Sequence, residues 1–300
     1  MIHPARFLFN AGGTPKAWNQ KMLNDPHFKV LHYEPDAKRV FPSTDIKGGV
    51  AISYRNANEN YGAIKTFYAF PELKSINQKV QKIADESFST IVYSRTVYRF
   101  TDKLHEDNPN AINQLSNGHA YDMSTNIFER LPQVFFSEQP QDGAEYIGVY
   151  GLEKNDRTLK YIKRDLVNQV ENLDYFKVLL PKSNGSGALG EVLSTPLIGQ
   201  PLIGHTESFI SIGCFKEEKI ADNCKKYIKS KFCRCLLGIY KVTQDNPPEK
   251  WQCVPLEDFT SASDIDWSQP ISDIDRQLYH KYRLDAEEIE FVETKVKEMA

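Results

Sequence analysis

The chain has 300 residues, of which 40% are hydrophobic and 26% are charged. This length suffices for one large domain or two moderate ones, and the composition is ordinary for a globular protein. The sequence contains no apolar run of about 18 residues, which excludes a membrane-spanning helix. Its start lacks the charged-then-apolar pattern of a signal peptide, because His3 and Arg6 interrupt it. We therefore expect a cytoplasmic protein with no membrane partner.

The five cysteines, an odd number, fit a reducing compartment better than a disulfide framework. Cys214, Cys224, Cys233 and Cys235 lie close together in the sequence. Their spacing is poor for a zinc site, and apolar residues flank all four. The pattern therefore predicts buried core cysteines and no metal site.

The formal net charge of −3 hides an asymmetry along the chain. Residues 1–100 contain 14 Lys and Arg against 8 Asp and Glu, whereas residues 241–300 contain 7 against 14. A basic front and an acidic tail are compatible with a nucleic-acid-binding face on one side of the molecule. A merely solvated surface is the alternative.

The first 70 residues predict short helices and strands in alternation. The Pro4–Phe9 segment predicts a helix start, because proline is tolerated in a first helical turn. Thr14 is a candidate N-cap for a second helix, which begins at Pro15 and continues through Asn24. Three β-prone segments follow as predicted strands: Lys29–Tyr33, Gly49–Tyr54 and Ala63–Phe70. We interpret this order as the last part of a doubly wound α/β sheet.

A second, larger part begins after Pro71. Leu73, Ile76, Val80 and Ile83 recur at spacings of three and four, which predicts a helix over residues 72–86. Residues 102–126 are polar and predict a long loop or flexible insertion. A β-rich block is predicted over 133–180, with a hairpin across Lys154–Arg157, and strands are predicted at Lys177–Leu180 and Ser208–Ile212. Helices are predicted over 217–237 and near Ile271–Tyr282 and Asp285–Met299.

The most informative segment is Thr44–Tyr54, in which a polar turn with two glycines leads into a buried strand. Other segments accompany it in a fixed order: Ile2–Phe9, Trp18–Leu23, Phe176–Lys182, Thr206–Ile212, Lys229–Phe232, Val254–Thr260 and Ile274–Tyr279. They follow one another in order across nearly the whole chain, from Ile2 to Tyr279. The ordered set resembles the C-terminal half of TaqI-like adenine-specific DNA methyltransferases, including the bifunctional type II restriction–modification enzymes.

The resemblance implies an α/β fold class, α+β overall, in two parts. Residues 1–75 correspond to the end of a Rossmann-like methyltransferase sheet. Residues 76–300 correspond to a mixed α/β target-recognition domain with C-terminal helices. In the full-length family, S-adenosylmethionine supplies a methyl group to the amino group of adenine in DNA. Mg²⁺ is needed where a nuclease domain is attached.

The motifs that carry this catalysis are absent from the sequence. Cofactor binding requires a glycine-rich turn between a strand and a helix, and Gly185-Ser186-Gly187 lacks that context. Catalysis requires an Asn-Pro-Pro-aromatic loop that holds the extruded adenine. Asn246-Pro247-Pro248-Glu249 has Glu at the aromatic position, so we interpret it as a polar turn. The pair Glu249-Lys250 lacks the strand context of a nuclease site. We expect no catalytic residue, cofactor or metal in this chain.

Three groups of residues are candidates for contacting double-stranded DNA. A loop with a cation, polar side chains and backbone amides either binds DNA or is a flexible surface loop. A segment at the start of a predicted strand contains His and Glu, whose side chains either hydrogen-bond to bases or cap a turn. A basic helix face is either a phosphate track or a solvated surface. The candidates are Lys182, Ser183, Asn184 and Gly185; His205, Thr206, Glu207 and Ser208; and Lys229, Lys231 and Arg234, on the predicted helix that also carries Lys225 and Lys226.

A fourth group comprises Asp45, Lys47 and Gly48. The resemblance implies that this turn borders the pocket for the extruded adenine. The alternative is that the turn only closes a strand connection. Nearby in the sequence, Tyr93, Tyr98 and Phe100 have a near-alternating spacing, which is more typical of core packing than of base stacking.

The sequence thus leads to two main hypotheses. In the first, the chain is the DNA target-recognition portion of an adenine-specific methyltransferase, and it binds duplex DNA and presents an adenine. In the second, it is a non-catalytic structural or regulatory subunit that docks on a methyltransferase or nuclease partner through an unpaired sheet edge. A stand-alone enzyme with an unrecognised site is a third. Duplex DNA and the missing N-terminal half, or a partner subunit, are the expected partners.

Overall fold

The computed structural model describes residues 1–44 and 46–299 and shows a mixed α/β protein with three small sheets. The first sheet contains β1 (Ile2–Pro4), β2 (Phe28–Glu34) and β3 (Val50–Arg55). The second sheet contains β4 (Val92–Tyr93), β7 (Phe176–Pro181), β8 (Leu197–Gly199) and β10 (Phe209–Phe215). The third sheet contains β5 (Tyr146–Glu153), β6 (Asp156–Lys163) and β9 (Ile203–His205). The helices are α1 (Lys16–Asn24), α2 (Pro71–Val80), α3 (Asp102–Asp107), α4 (Ala111–Gln114), α5 (Ile127–Arg130), α6 (Glu218–Lys229), α7 (Lys231–Leu237), α8 (Ile271–Lys281) and α9 (Ala286–Lys295).

The first sheet has β3 in the middle, antiparallel to β1 on one side and to β2 on the other. β1 and β2 therefore run in the same direction. The strands predicted at Lys29–Tyr33 and Gly49–Tyr54 are confirmed as β2 and β3. The helix start predicted at Pro4–Phe9 is present in part: Pro4 ends β1, which pairs with β3, and a short 3-10 helix follows over Arg6–Phe9.

The strand predicted at Ala63–Phe70 is wrong, because this segment is irregular. Its backbone bonds to the end of α1 instead of joining a ladder, and Lys65 N donates to Leu23 O at 2.9 Å. Ile64 and Phe67 still pack against the core of the first sheet. Their apolar character therefore covers this core and does not extend the sheet.

A second core lies between the second sheet, in the order β4-β10-β7-β8, and α2, α6, α7, α8 and α9. Leu73, Ile76 and Val80 place one face of α2 in this core, as their spacing predicts. A third core lies between the third sheet, β6-β5-β9, and α3 to α5. Neighbouring strands pair antiparallel except β5 and β9, which are parallel. The mixed α/β class is as predicted, and the Rossmann-like form of the first sheet stays a prediction.

The predicted hairpin is confirmed as β5 and β6, with Tyr150 opposite Leu159. Lys154 and Asn155 form its two-residue turn, and both have positive φ, as the hairpin turn with two left-handed residues requires. The other predicted strands, over 177–180 and 208–212, are present as β7 and β10.

The segment 102–126 is not the flexible insertion that its polarity predicts. It contains α3 and α4, and Leu104, Ala111 and Met123 lie in the third core. Because each short helix buries only one or two apolar side chains, most residues of the segment are polar. Composition alone therefore gives no sign of this packing.

The single helix predicted over 217–237 is broken at Ser230 into α6 and α7. Ser230 has an extended backbone, and its hydroxyl accepts a hydrogen bond from Cys233 N. The Asp275 carboxylate, buried on α8, accepts from Lys231 N at 3.0 Å and from Phe232 N at 2.9 Å. Two side chains thus satisfy the amides at the start of α7, which stabilises a new helix start in place of a continuous helix.

The two helices predicted at the end of the chain are confirmed as α8 and α9. At the start of α9, Asp285 and Glu288 form the predicted capping box, in which each side chain accepts from the other residue's amide. Among the cysteines, Cys214 is half-buried and the other four are buried. Within residues 1–44 and 46–299, no group of three potential metal ligands comes together.

Replacement of Asp275 by Ala leaves the amides of Lys231 and Phe232 without acceptors. We expect a loss of about 2 kcal/mol in the free energy of unfolding, which is typical for removal of a helix cap. Urea denaturation measures it. Asp273→Ala, on the exposed side of α8, is the matched control and loses less than about 1 kcal/mol. Equal losses in the two variants would mean that Asp275 does not stabilise the start of α7.

Candidate nucleic-acid interface

The segment 182–187, the recognition loop, follows β7 and is held by backbone hydrogen bonds to two other segments. Lys182 N donates to Ser208 O at 3.0 Å, at the start of β10. On its other side, Asn246 N donates to Lys182 O at 2.7 Å. The loop is therefore fixed between the entry of β10 and the turn that contains Asn246, and it is not a freely moving connection.

Asn184 is buried, and its side chain is used inside the protein. Its Nδ2 donates to Val192 O at 3.3 Å, and its Oδ1 accepts from Asn246 Nδ2 at 2.8 Å. The amide predicted to contact a base thus anchors the loop. Asn246, from the Asn-Pro-Pro turn, is also fully buried. In this structure the side chain of Asn246 has a structural role, because it bonds to the recognition loop.

The backbone amides at the tip of the recognition loop already have an acceptor. The Glu191 carboxylate accepts from Ser186 N at 2.8 Å, from Gly187 N at 2.9 Å and from Lys241 Nζ at 2.7 Å. Burial acts to raise the pKa of Glu191, but these bonds outweigh it and hold the pKa below its usual value. The expectation of free amides for phosphate is therefore wrong for Ser186 and Gly187. Gly185 lies exposed beside them.

Gly187 has a structural role of its own at this tip. Its φ of +87° is in the left-handed region, and a Cβ there would lie 2.3 Å from the backbone of Val242 and Thr243. The close approach brings the loop against the segment that follows α7. Val242 in turn packs in the core of the first sheet.

His205 is fully buried, which contradicts the prediction that it contacts a base. Its Nδ1 lies 3.0 Å from Thr206 O and its Nε2 lies 3.1 Å from Ser211 Oγ. Burial lowers the pKa of His205 to about 4, so the ring is neutral at pH 7. Thr206 and Ser208 are buried as well, and Thr206 Oγ1 accepts from Ser208 N. In this group only the Glu207 side chain is partly accessible.

The basic helix face does not form as predicted, because its residues are divided between α6 and α7. Arg234 is only 2% exposed, and its guanidinium donates to four carbonyls, those of Lys229, Gly190, Glu191 and Lys297. It stabilises the packing of three segments and is not available to DNA. Lys231 forms an ion pair with Glu293. Lys229 is half-buried. A continuous phosphate track is therefore wrong.

Lys182 is a candidate cation that stays near the surface. It is half-buried, and its Nζ lies 3.3 Å from Thr125 Oγ1. Burial lowers the pKa of Lys182; the charge of Arg95 lowers it further, and Glu207 and Asp245 oppose this. Lys182 thus belongs to a cluster of charged groups that is not evident from the sequence, because Arg95 comes from a turn far away in the chain.

The fourth candidate group lies on a cleft between the first sheet and the rest of the protein. The cleft has a volume of about 570 Å³. Lys47 and Gly48 line it, and Asp45 lies outside the described residues. Arg6 Nε donates to Lys47 O at 2.8 Å, and Tyr33 OH donates to Gly48 O at 3.3 Å. These two bonds hold the turn in place at the edge of the cleft.

The opposite wall of the cleft comes from the recognition loop and the segment after α7. Its lining includes Ser186, Gly187 and Val242, while Phe70 and Leu73 line it from the start of α2. The structure thus brings the Lys47–Gly48 turn and the tip of the recognition loop to the same cavity. The sequence separation of about 140 residues hides this proximity from sequence reasoning.

A buried lysine joins the segment after β1 to the 3-10 helix Pro248–Trp251. Lys250 Nζ donates to Phe9 O at 2.9 Å and to Asn10 O at 3.2 Å, at the end of the 3-10 turn that follows β1. Burial lowers the pKa of Lys250 to about 8. Tyr240 adds a bond between the parts, with its hydroxyl 3.2 Å from Thr66 Oγ1. These contacts join the first 70 residues to the segments that contain Tyr240 and Lys250.

The comparisons with known proteins add no family: no protein-family model and no curated protein matches this chain. The family therefore stays a resemblance carried by sequence segments. Among residues 1–44 and 46–299, no helix is both long and apolar enough to cross a membrane.

Replacement of Glu191 by Ala removes the acceptor of the loop amides and leaves Lys241 buried without its carboxylate. We expect a loss of about 3 kcal/mol in the free energy of unfolding. Faster proteolysis within 182–191 accompanies it, because the loop loses its anchor. Glu106→Ala, at an exposed position on α3, is the control and changes neither measurement. Unchanged proteolysis of the Glu191 variant would show that other contacts hold the loop.

Replacement of Lys250 by Met tests the buried ammonium through its pH dependence. The pKa of Lys250 is about 8 in the folded protein, below the ordinary 10.5. The unfolded chain therefore binds more protons between these values, so folding of the wild type gains stability as pH rises through this window. We expect the wild type to gain about 1–3 kcal/mol relative to Lys250→Met between pH of about 7 and 10.

Denaturation midpoints at several pH values measure this gain. Lys219→Met, at an exposed site, controls for the loss of a lysine and follows the wild type over the whole range. A stability difference between wild type and Lys250→Met that stays constant with pH would contradict the assignment.

Proposed function

We propose that this chain is the DNA target-recognition portion of an adenine-specific DNA methyltransferase of the TaqI-like restriction–modification type. In this proposal it binds double-stranded DNA and holds an adenine for methylation. The observation that carries the proposal is the cleft shared by the Lys47–Gly48 turn and the recognition loop. Two segments that the family resemblance assigns to base presentation and target recognition line one cavity.

The cleft has the size and lining that an extruded base requires. Ligand pockets have volumes of about 300–1,000 Å³ and combine apolar walls with a few polar groups. The rings of Tyr33 and Phe70 and the aliphatic side chain of Leu73 line this cleft. The polar groups are Lys47 on one wall of the cleft and Ser186, at the tip of the recognition loop, on the other. Base-modifying enzymes bind flipped bases between apolar or aromatic side chains and polar groups.

The strand directions in the first sheet support its derivation from a doubly wound sheet. β1 and β2 run in the same direction with the antiparallel β3 between them. Antiparallel strands occur at the end of otherwise parallel sheets in doubly wound folds. The proposal therefore treats β1 to β3 as the end of a Rossmann-like methyltransferase sheet.

No step of methyl transfer is assigned to residues of this chain. The turn that contains Asn-Pro-Pro does not fit the catalytic role, because Asn246 is buried and bonded to Asn184. In our proposal the S-adenosylmethionine site lies in a complementary portion or partner subunit. Mg²⁺ is required only if that portion includes a nuclease.

A second candidate function is docking of the chain, as a structural or regulatory subunit, on the methyltransferase portion. The specific observation is the outer edge of β1, beside a groove of about 760 Å³. Ile2 and Trp18 line this groove and are largely exposed. Met1 and Ala5 bond to β3, so the N–H and C=O of Ile2 point to the opposite edge. A strand of the methyltransferase portion would continue the ladder of the first sheet there.

Titration of duplex DNA against salt tests the proposed function. We expect binding whose affinity falls steeply between about 50 and 200 mM salt, because phosphate contacts release counterions. Lys182→Ala lowers affinity and reduces the slope of log K against log salt by about 1. Fluorescence anisotropy with a labelled duplex measures both quantities.

Lys216→Ala is the matched control. Lys216 is exposed and follows the C-terminal end of β10, whereas Lys182 lies beside the N-terminal end of that strand. It leaves the slope unchanged. Absence of salt-dependent binding in the wild type would contradict DNA recognition by this chain and favour the docking function. Binding with an unaltered slope in the Lys182 variant would place the DNA contact elsewhere.

A further inference from the structure

Several distant segments meet around Lys182, at the start of the recognition loop. Glu207 N donates to Met123 O at 2.8 Å, which joins the entry of β10 to the segment before α5. Lys182 Nζ lies near Thr125 of that same segment. Ser183 pairs with Asp245 as an isolated β-bridge. This surface, the Lys182 cluster, is separate in position from the cleft lining and carries charges of both signs.

Arg95 extends into the Lys182 cluster from the turn after β4. Its Nε lies 4.0 Å from Glu207 Oε2, and its charge lowers the pKa of Lys182. The Arg95 side chain is 52% exposed. Within residues 1–44 and 46–299 it donates no hydrogen bond, whereas Arg234 donates to four carbonyls. The guanidinium of Arg95 therefore lies beside a carboxylate, and its hydrogen-bond donors stay available.

The backbone that carries Arg95 is fixed. Val97 N donates to Ser94 O at 3.1 Å, which closes a turn around the arginine. Next along the chain, Tyr98 is buried and donates to Asn172 Oδ1 at 2.6 Å. An arginine on such a fixed turn loses little backbone freedom on binding.

We propose that Arg95 reads a guanine in the bound DNA duplex; the inference rests on the proposed function. A guanidinium donates two parallel hydrogen bonds, which match the O6 and N7 acceptors that guanine presents in the major groove. Lys182 carries a compact charge, which is not needed for that match and suits a phosphate beside the base. Arg95 is thus a specificity-determining residue of the recognition surface.

Selection of bound duplexes from a randomised DNA library tests this inference, with the wild type, Arg95→Ala and Arg95→Lys. We expect the wild type to select guanine at a defined position. Both variants lose this preference by about 10-fold or more, because lysine keeps the charge but not the paired donors. Arg276→Ala is the matched control: Arg276 is also exposed and beside one carboxylate, on α8. It keeps the wild-type preference.

Replacement of the selected guanine by 7-deazaguanine, which lacks N7, gives a second readout. It weakens binding of the wild type and leaves binding of Arg95→Ala unchanged. If Arg95→Ala weakens binding to all sequences equally, Arg95 contacts phosphate; the inference is then overturned and DNA recognition stands. If the wild type binds no duplex in a salt-dependent way, the proposed function itself fails.

Discussion

The arrangement of the candidate interface depends on one buried ion pair, Glu191 with Lys241. The carboxylate accepts the amides at the tip of the recognition loop, and Lys241 Nζ also donates to the carbonyls of Asn184 and Thr243. The pair thus fixes both ends of the loop tip and the segment after α7. Because Val242 of that segment packs in the core of the first sheet, the same contact positions the loop against the cleft. Buried pairs of this kind are stable when further hydrogen bonds satisfy both charges, as they do here.

Buried cations that bond to backbone carbonyls recur in this protein. Lys177 donates to the carbonyls of Leu173, Gln200 and Ile203, and burial lowers its pKa to about 7. Arg234 and Lys250 likewise join segments that are distant in the chain. Such residues increase the count of basic side chains without contributing to a surface that attracts DNA. The number of basic residues in the sequence after residue 176 therefore overstates the basic surface that this part of the chain offers to a nucleic acid.

The groups that do stay accessible lie along one path in the structure. Arg95, Glu207 and Lys182 lie at the start of the recognition loop, and Ser186 and its neighbours lie at its tip on the cleft. In the proposed function, the start of the loop contacts the duplex while the cleft holds the extruded adenine. The rigid anchoring of the loop suits this division, because recognition and base presentation then depend on a fixed distance between the two surfaces.

The sequence by itself determined the elements whose signals are local. The β5–β6 hairpin follows from strand alternation and its turn, the capping box of α9 from Asp285 and Glu288, and the buried face of α2 from its apolar spacing. Only the tertiary structure decided the break between α6 and α7, where Asp275 comes from another helix, and the burial of His205 and Arg234. The physical reason is the range of the interactions. Turns, caps and helix faces involve residues a few positions apart, whereas the environment of a polar side chain depends on carbonyls and carboxylates that folding brings from distant segments.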